Sequence, residues 1–166
     1  MLFHSTVGFI HLLSALLAMV AGSIVLLNTK GGLFHKRIGY VYVALMVVLN
    51  VTAFMIYHLF GKFGPFHALA ILSMVGIAGG MVPVLLKQRI SVWIFYHYNF
   101  MSWSVVGLYA AFWSELFTRT LPMKQFWPVV MIATGVTAGI GAFLIRRNAA
   151  RFLPIQKKEV VAKEAV

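Results

Sequence analysis

The chain has 166 residues, of which 61% are hydrophobic and only 10% are charged. A soluble domain carries about 25% charged residues, so this chain has too little polar surface to face water on all sides. The formal net charge of +11 does not indicate nucleic acid, because the basic residues lie between apolar runs and in the tail. The absence of cysteine excludes disulfides, thiolate-bound zinc, iron–sulfur clusters and covalently attached haem.

Five segments meet the requirement for a membrane-spanning helix, which is about 20 mostly apolar residues. They run approximately over residues 7–27, 38–60, 66–86, 92–117 and 126–145. Short connections with glycine or proline join them, so consecutive helices are predicted to be antiparallel neighbours. The predicted fold is an all-α, five-helix transmembrane bundle in the lipid bilayer, followed by a basic tail over residues 146–166.

The distribution of lysine and arginine predicts how the chain is oriented. Eleven of these residues fall in the first and third connections and the tail, whereas three fall in the second and fourth connections. Connections rich in lysine and arginine stay in the cytoplasm. The tail is therefore predicted to be cytoplasmic, and an odd number of spans places the N-terminus outside.

Small residues at four-residue spacing predict the helix contacts, because helices in lipid associate through close packing of small side chains. They occur on the first, third and fifth predicted helices: Ser14, Ala18 and Gly22; Gly76 and Gly80; Gly135 and Gly139. Near the middle of the second helix, Asn50 is predicted to form a hydrogen bond between helices.

Histidines are the main candidates for chemistry, and the predicted topology sorts them by membrane face. Three imidazoles and a carboxylate are predicted near the outer ends of four helices: His11, His58, His67 and Glu115. His35 and His97 are predicted at the cytoplasmic face, where the second and fourth helices begin. His11 shares a face with the small residues of the first helix, so its side chain should point into the bundle.

Imidazole is the usual axial ligand of non-covalent haem and the commonest metal ligand. Two pairs from different helices predict haem b sites, His11 with His67 in the outer leaflet and His35 with His97 in the inner leaflet. In an alternative interpretation a divalent metal such as zinc is bound by four side chains: His11, His58, His67 and Glu115. A third interpretation has no cofactor, because every histidine lies near a helix end and Glu115 can simply pair with Arg119.

Three stretches also carry a resemblance, which extends from about His11 to Arg119. They are Gly31-Gly32-Leu33-Phe34-His35-Lys36-Arg37-Ile38-Gly39-Tyr40-Val41-Tyr42, then Phe66-His67, then His97-x-x-x-Met101 leading to Arg119. This pattern resembles an uncharacterised family of small bacterial membrane proteins, catalogued as a domain of unknown function. The resemblance implies a multi-helix fold in the bacterial inner membrane and no established activity. A looser similarity to haem-binding membrane cytochromes rests on fold and histidine placement alone.

Three function classes follow from these observations. The first is a membrane cofactor-binding protein that holds haem b and transfers electrons. The second is a non-catalytic accessory subunit of a larger membrane complex, which needs lipid-facing helices and partner subunits but no chemistry. The third is a metal-dependent membrane hydrolase with a metal-bound water as the nucleophile and only Glu115 as general base. A secondary transporter is disfavoured, because no charge lies in the middle of a span.

Overall fold

The computed structural model describes residues 5–57 and 61–153, in which all regular structure is helical. Five α-helices follow one another: α1 (Thr6–Leu27), α2 (Leu33–Ala53), α3 (Pro65–Leu85), α4 (Trp93–Thr120) and α5 (Phe126–Phe152). A short 3-10 turn, Met123–Gln125, precedes α5. The all-α class with five helices is confirmed. His58 and the tail beyond residue 153 lie outside the described residues.

Four of the helices are long and apolar enough to cross a membrane by length and composition: α1, α2, α3 and α5. The fourth helix, α4, is the longest at 28 residues but is more polar. Its first turns contain Tyr96, His97, Tyr98 and Asn99, and these side chains lower its hydropathy. That α4 also spans the membrane stays a prediction.

The two ends of α1 are capped by hydrogen bonds with side chains that flank the helix. The Ser5 hydroxyl accepts a hydrogen bond from the Gly8 N–H at 3.1 Å and caps the first turn. At the other end, the Lys30 ammonium donates to the carbonyls of Val25 and Leu26, at 2.5 and 2.7 Å, which have no partner within the helix. Partial burial lowers the pKa of Lys30, because desolvation disfavours its charged form.

The second helix begins and ends earlier than the apolar run that predicted it. It begins at Leu33 instead of residue 38, because Lys36 and Arg37 are good helix formers and continue the helix beyond the apolar segment. It ends at Ala53 instead of residue 60, where the Phe54 N–H donates to the carbonyls of Asn50 and Thr52. The last helix, in contrast, continues past residue 145 through the basic residues to Phe152.

The described residues fall into two compact units that divide between Met74 and Val75, within α3. In the first unit α1 packs against α2 through buried small residues of α1: Ser14, Ala15, Ala18, Ala21 and Gly22. The buried face of α2 carries Tyr42, Met46 and Leu49. The amide of Asn50 donates to the Ser73 hydroxyl at 3.0 Å, which joins α2 to α3. This hydrogen bond between helices confirms the prediction for Asn50.

In the second unit, close approach depends on glycines. A Cβ atom at Gly80 would lie 2.6 Å from the Met101 sulfur, and one at Gly141 would lie 2.6 Å from a Val106 methyl. Gly135 and Gly139, which the spacing predicted as a contact face, have no described atom of another helix within 4 Å of their Cβ positions. On α5 the close contact therefore lies at Gly141, because that side of the helix faces α4.

Candidate functional site

His11 lies about one turn into α1 and bonds to the end of α2. Its Nδ1 is 3.2 Å from the Leu49 carbonyl and 3.1 Å from the Thr52 hydroxyl oxygen. The Thr52 hydroxyl donates its proton to the carbonyls of Val48 or Leu49, at 2.8 and 2.9 Å. Both groups near His11 therefore act as acceptors, so Nδ1 carries the proton and Nε2 carries the lone pair.

His97, near the start of α4, has the same tautomer for a similar reason. Its Nδ1 lies 2.9 Å from the carbonyl oxygen of Gly80 on α3. A carbonyl can only accept, so Nδ1 donates and the lone pair of the ring is on Nε2. Gly79 and Gly80 have no side chains, which lets Phe100 and Met101 of α4 approach the α3 backbone closely.

His67 has the opposite arrangement. It is the third residue of α3, and its Nδ1 accepts a hydrogen bond from the Gly64 N–H at 3.1 Å. A side chain at this position that reaches back to the residue preceding the helix is the second half of a capping box. Because Nδ1 accepts, the proton of the neutral ring is on Nε2. That nitrogen is buried and has no hydrogen-bond partner in the described part of the chain.

Among the described residues, three aromatic rings contact the His67 imidazole, which is only 5% exposed. Phe63 stacks on it with ring centroids 5.1 Å apart, and Tyr57 lies 4.6 Å away by the same measure. Phe54 is more distant, at 6.3 Å. We call the side chains of Phe54, Tyr57 and Phe63 the aromatic cage. Tyr57 and Phe63 are themselves about half exposed, so they cover the imidazole from the surface.

The other candidates in the described residues are His35 and Glu115. His35 is half-buried in the first turn of α2, close to the basic pair Lys36 and Arg37. Glu115 forms an ion pair with Arg119 one turn further along α4, and both side chains are partly exposed. This pairing is the one that the i, i+4 spacing predicts. An exposed pair of this kind adds little stability.

The ligand set proposed for zinc includes His58, which lies outside the described residues. Over residues 5–57 and 61–153, no group of three or more His, Cys, Asp or Glu side chains is arranged to hold a metal ion. The four-ligand interpretation with His11, His58, His67 and Glu115 stays a prediction.

The sequence correctly predicts that the four described histidines lie near helix ends, but it does not predict the groups that fix the ring protons of His11, His67 and His97. These groups are Thr52, the Leu49 and Gly80 carbonyls and the Gly64 N–H. A signal existed for Thr52, because it continues the helical stripe of Tyr42, Met46 and Leu49 on the buried face of α2. The backbone partners could not be predicted, because almost every residue has the same N–H and C=O groups.

The chain was compared with protein families, with curated proteins and with solved structures. Neither the curated proteins nor the solved structures contain a significant match to the chain. A family model described as "Predicted membrane protein (DUF2306)" matches residues 8–153, which include all five helices except Thr6 and Val7 at the start of α1. The family has no assigned function, which agrees with the resemblance noted in the sequence. On this match, the chain belongs to the family described as "Predicted membrane protein (DUF2306)".

Proposed function

We propose that this chain is a cofactor-binding protein of the bacterial inner membrane that holds haem b for electron transfer. The observation that supports it best is the shared tautomer of His11 and His97. In each, the Nδ1–H donates to a backbone carbonyl, which puts the lone pair on Nε2. Proteins prepare metal-ligating histidines in this way, since the second hydrogen bond orients the ring and raises its basicity.

His11 and His97 are therefore each proposed as an iron ligand, at two separate haem sites. Thr52 and the Leu49 carbonyl orient the first ring, and the Gly80 carbonyl orients the second. A bound haem would supply one-electron chemistry, with a potential set by its axial ligands and their hydrogen bonds. The pairing of His35 with His97 stays a prediction.

His67 fits the ligand role less well than the sequence predicted. Its Nδ1 is engaged by the Gly64 N–H and its Nε2 carries the proton in the neutral ring. Coordination through either nitrogen would require the proton to move to Nδ1 or the capping bond to break. The pairing of His11 with His67 is thus the less favoured part of the original hypothesis.

The orientation in the membrane is part of the same proposal. The N-terminus is outside and the basic tail is cytoplasmic, as the uneven distribution of lysine and arginine predicts. The basic end of α5 contains Arg146, Arg147 and Arg151 beside Phe152, and this combination favours contact with anionic lipid.

The test is an absorption spectrum of the purified full chain, oxidised and reduced. We expect a haem band that shifts on reduction and that is lost in His11→Ala or His97→Ala. The matched control is His67→Gln, whose amide oxygen can still accept from Gly64, and this variant should keep the band. A colourless protein, or a band that survives both alanine substitutions, overturns the proposal. In the colourless case, the accessory-subunit hypothesis takes first place.

A further inference from the structure

The Nε2–H group of His67 is a buried donor without an acceptor among the described residues. Burying a polar group unpaired costs free energy, so such groups in proteins need an explanation. The ring cannot resolve this by changing tautomer, because Nδ1 already accepts from Gly64 at 3.1 Å. The site therefore suits a ligand that brings an acceptor atom.

The surroundings indicate that this acceptor is uncharged. The described side chains in ring contact with His67 are all aromatic: Phe54, Tyr57 and Phe63. The start of α3, which would ordinarily attract an anion, has few donors left. Gly64 donates to His67, Pro65 has no N–H, and the His67 N–H donates to the Gly64 carbonyl at 3.0 Å. A phosphate here would exchange its hydration for aromatic carbon, which is costly.

The aromatic cage indicates that the ligand is planar. Aromatic rings stack on flat conjugated ligands, and pockets with few polar groups use those groups to fix orientation. The rings of Tyr57 and Phe63 are 45% and 56% exposed, so the aromatic cage is accessible from the surface on that side. The position also suits a lipid-soluble compound, because α3 is apolar enough to span a membrane and His67 lies at its beginning.

We propose that His67 and the aromatic cage bind the head group of a lipid-soluble quinone, whose carbonyl oxygen accepts the Nε2–H. The protein contributes one directed hydrogen bond, and the cage contributes ring contacts. Nothing in this site depends on iron ligation by His11 or His97. It goes beyond haem binding by assigning His67 a different ligand.

The first test compares two probes on the unsubstituted protein in detergent micelles. One probe is a benzoquinone with a short alkyl tail, and the other is an alkylbenzene with the same tail and no carbonyl. Dissociation constants come from quenching or competition of protein fluorescence, with empty micelles as the blank. We expect the quinone to bind about tenfold more tightly or better, since one buried hydrogen bond is worth roughly a factor of ten. Equal affinities overturn the proposal.

Variants then locate the binding site. His67→Met has no hydrogen-bond donor in its side chain and should abolish the preference for the quinone. His67→Gln keeps an acceptor for Gly64 and an amide donor, so it should retain part of the preference. Ser73→Ala removes a hydrogen bond elsewhere in the same unit and should bind like the unsubstituted chain.

Two results would contradict the assignment. One is a His67→Met protein that is folded by circular dichroism and still prefers the quinone. The other is displacement of the quinone by a short-chain anionic phospholipid but not by other quinones, which would indicate a phosphate site. Colourless protein would contradict haem binding alone, because the quinone measurements do not require haem.

Discussion

At the scale of single residues, the role of a histidine depends on which ring nitrogen carries the proton. At His11 and His97 the neighbouring groups accept, and the lone pair is left on Nε2. At His67 a backbone N–H donates, and the proton is left on Nε2 instead. The same residue type thus carries its ring proton on Nδ1 in two places and on Nε2 in the third.

A residue-scale prediction concerns the hydrogen bond between Asn50 and Ser73. Asn50 is only 4% exposed, and its amide donates to the Ser73 hydroxyl across two helices. A double-mutant cycle with Asn50→Ala and Ser73→Ala should give a coupling of about 0.5–1.5 kcal/mol in the free energy of unfolding, as such bonds do in membrane proteins. Unfolding in mixed micelles with increasing denaturing detergent measures it.

The control for this cycle pairs Asn50→Ala with Ser23→Ala. The Ser23 hydroxyl donates to the Met19 carbonyl of its own helix at 2.8 Å, so these two substitutions should be additive. Additivity in the Asn50 and Ser73 pair as well would mean that their hydrogen bond contributes nothing to stability.

At the scale of helices, close packing depends on which glycines face a neighbour. Four-residue spacing selected Gly135 and Gly139 on α5, but the contact with α4 is made by Gly141. The spacing of small residues identifies a face that could pack closely. It does not say which face of the helix is turned inwards, because α5 has small residues on more than one side.

A prediction at the scale of helices compares Gly141, which contacts α4, with Gly139, which does not. Gly141→Ala should lower the free energy of unfolding by about 1–3 kcal/mol, because a Cβ there overlaps the branched side chain of Val106, a residue type with restricted χ1 rotamers. Gly139→Ala, one half-turn away, should be neutral or slightly stabilising, since alanine has the higher helix propensity. Both values come from the same denaturing-detergent titration.

The prediction is wrong if Gly141→Ala and Gly139→Ala lower the free energy of unfolding equally. That result would mean that Gly139 also packs against a neighbour, for example in an oligomer, or that the α4–α5 contact relaxes without cost. The melting temperature at several protein concentrations separates these outcomes, because stabilisation by association depends on concentration.

At the scale of the whole molecule, charge distribution and hydropathy set the arrangement in the membrane. Single cysteines introduced at Lys36 and Lys157 should label from the cytoplasm, and those at Lys62 and Lys124 from outside. The reason is the excess of basic residues in alternate connections. Labelling with a membrane-impermeant maleimide on intact cells and on inverted vesicles measures this.

The topology experiment also tests whether α4 crosses the membrane. By length and composition, the helices that are apolar enough to cross are α1, α2, α3 and α5. If α4 does not cross, Lys62 and Lys124 label from opposite sides. If Lys62 and Lys157 label from the same side, the five-span topology is wrong.

The sequence by itself determined the class, the number of helices and the position near a helix end of the four described histidines, His11, His35, His67 and His97. It could do so because apolar run length and turn residues depend on composition over about 20 residues. The exact ends of α2 and α5 differed, since hydrogen bonds near Phe54 and the helix propensity of basic residues decide them, not apolarity.

Only the tertiary structure decided which ring nitrogen carries the proton in His11, His67 and His97. The Gly80 carbonyl, the Thr52 hydroxyl and the Gly64 N–H fix the protons of three imidazoles. Two of these partners are backbone groups, which are the same in every residue and so leave no mark in the sequence. The ring nitrogen that carries the proton therefore depends on which groups the folded helices bring within about 3 Å of each imidazole.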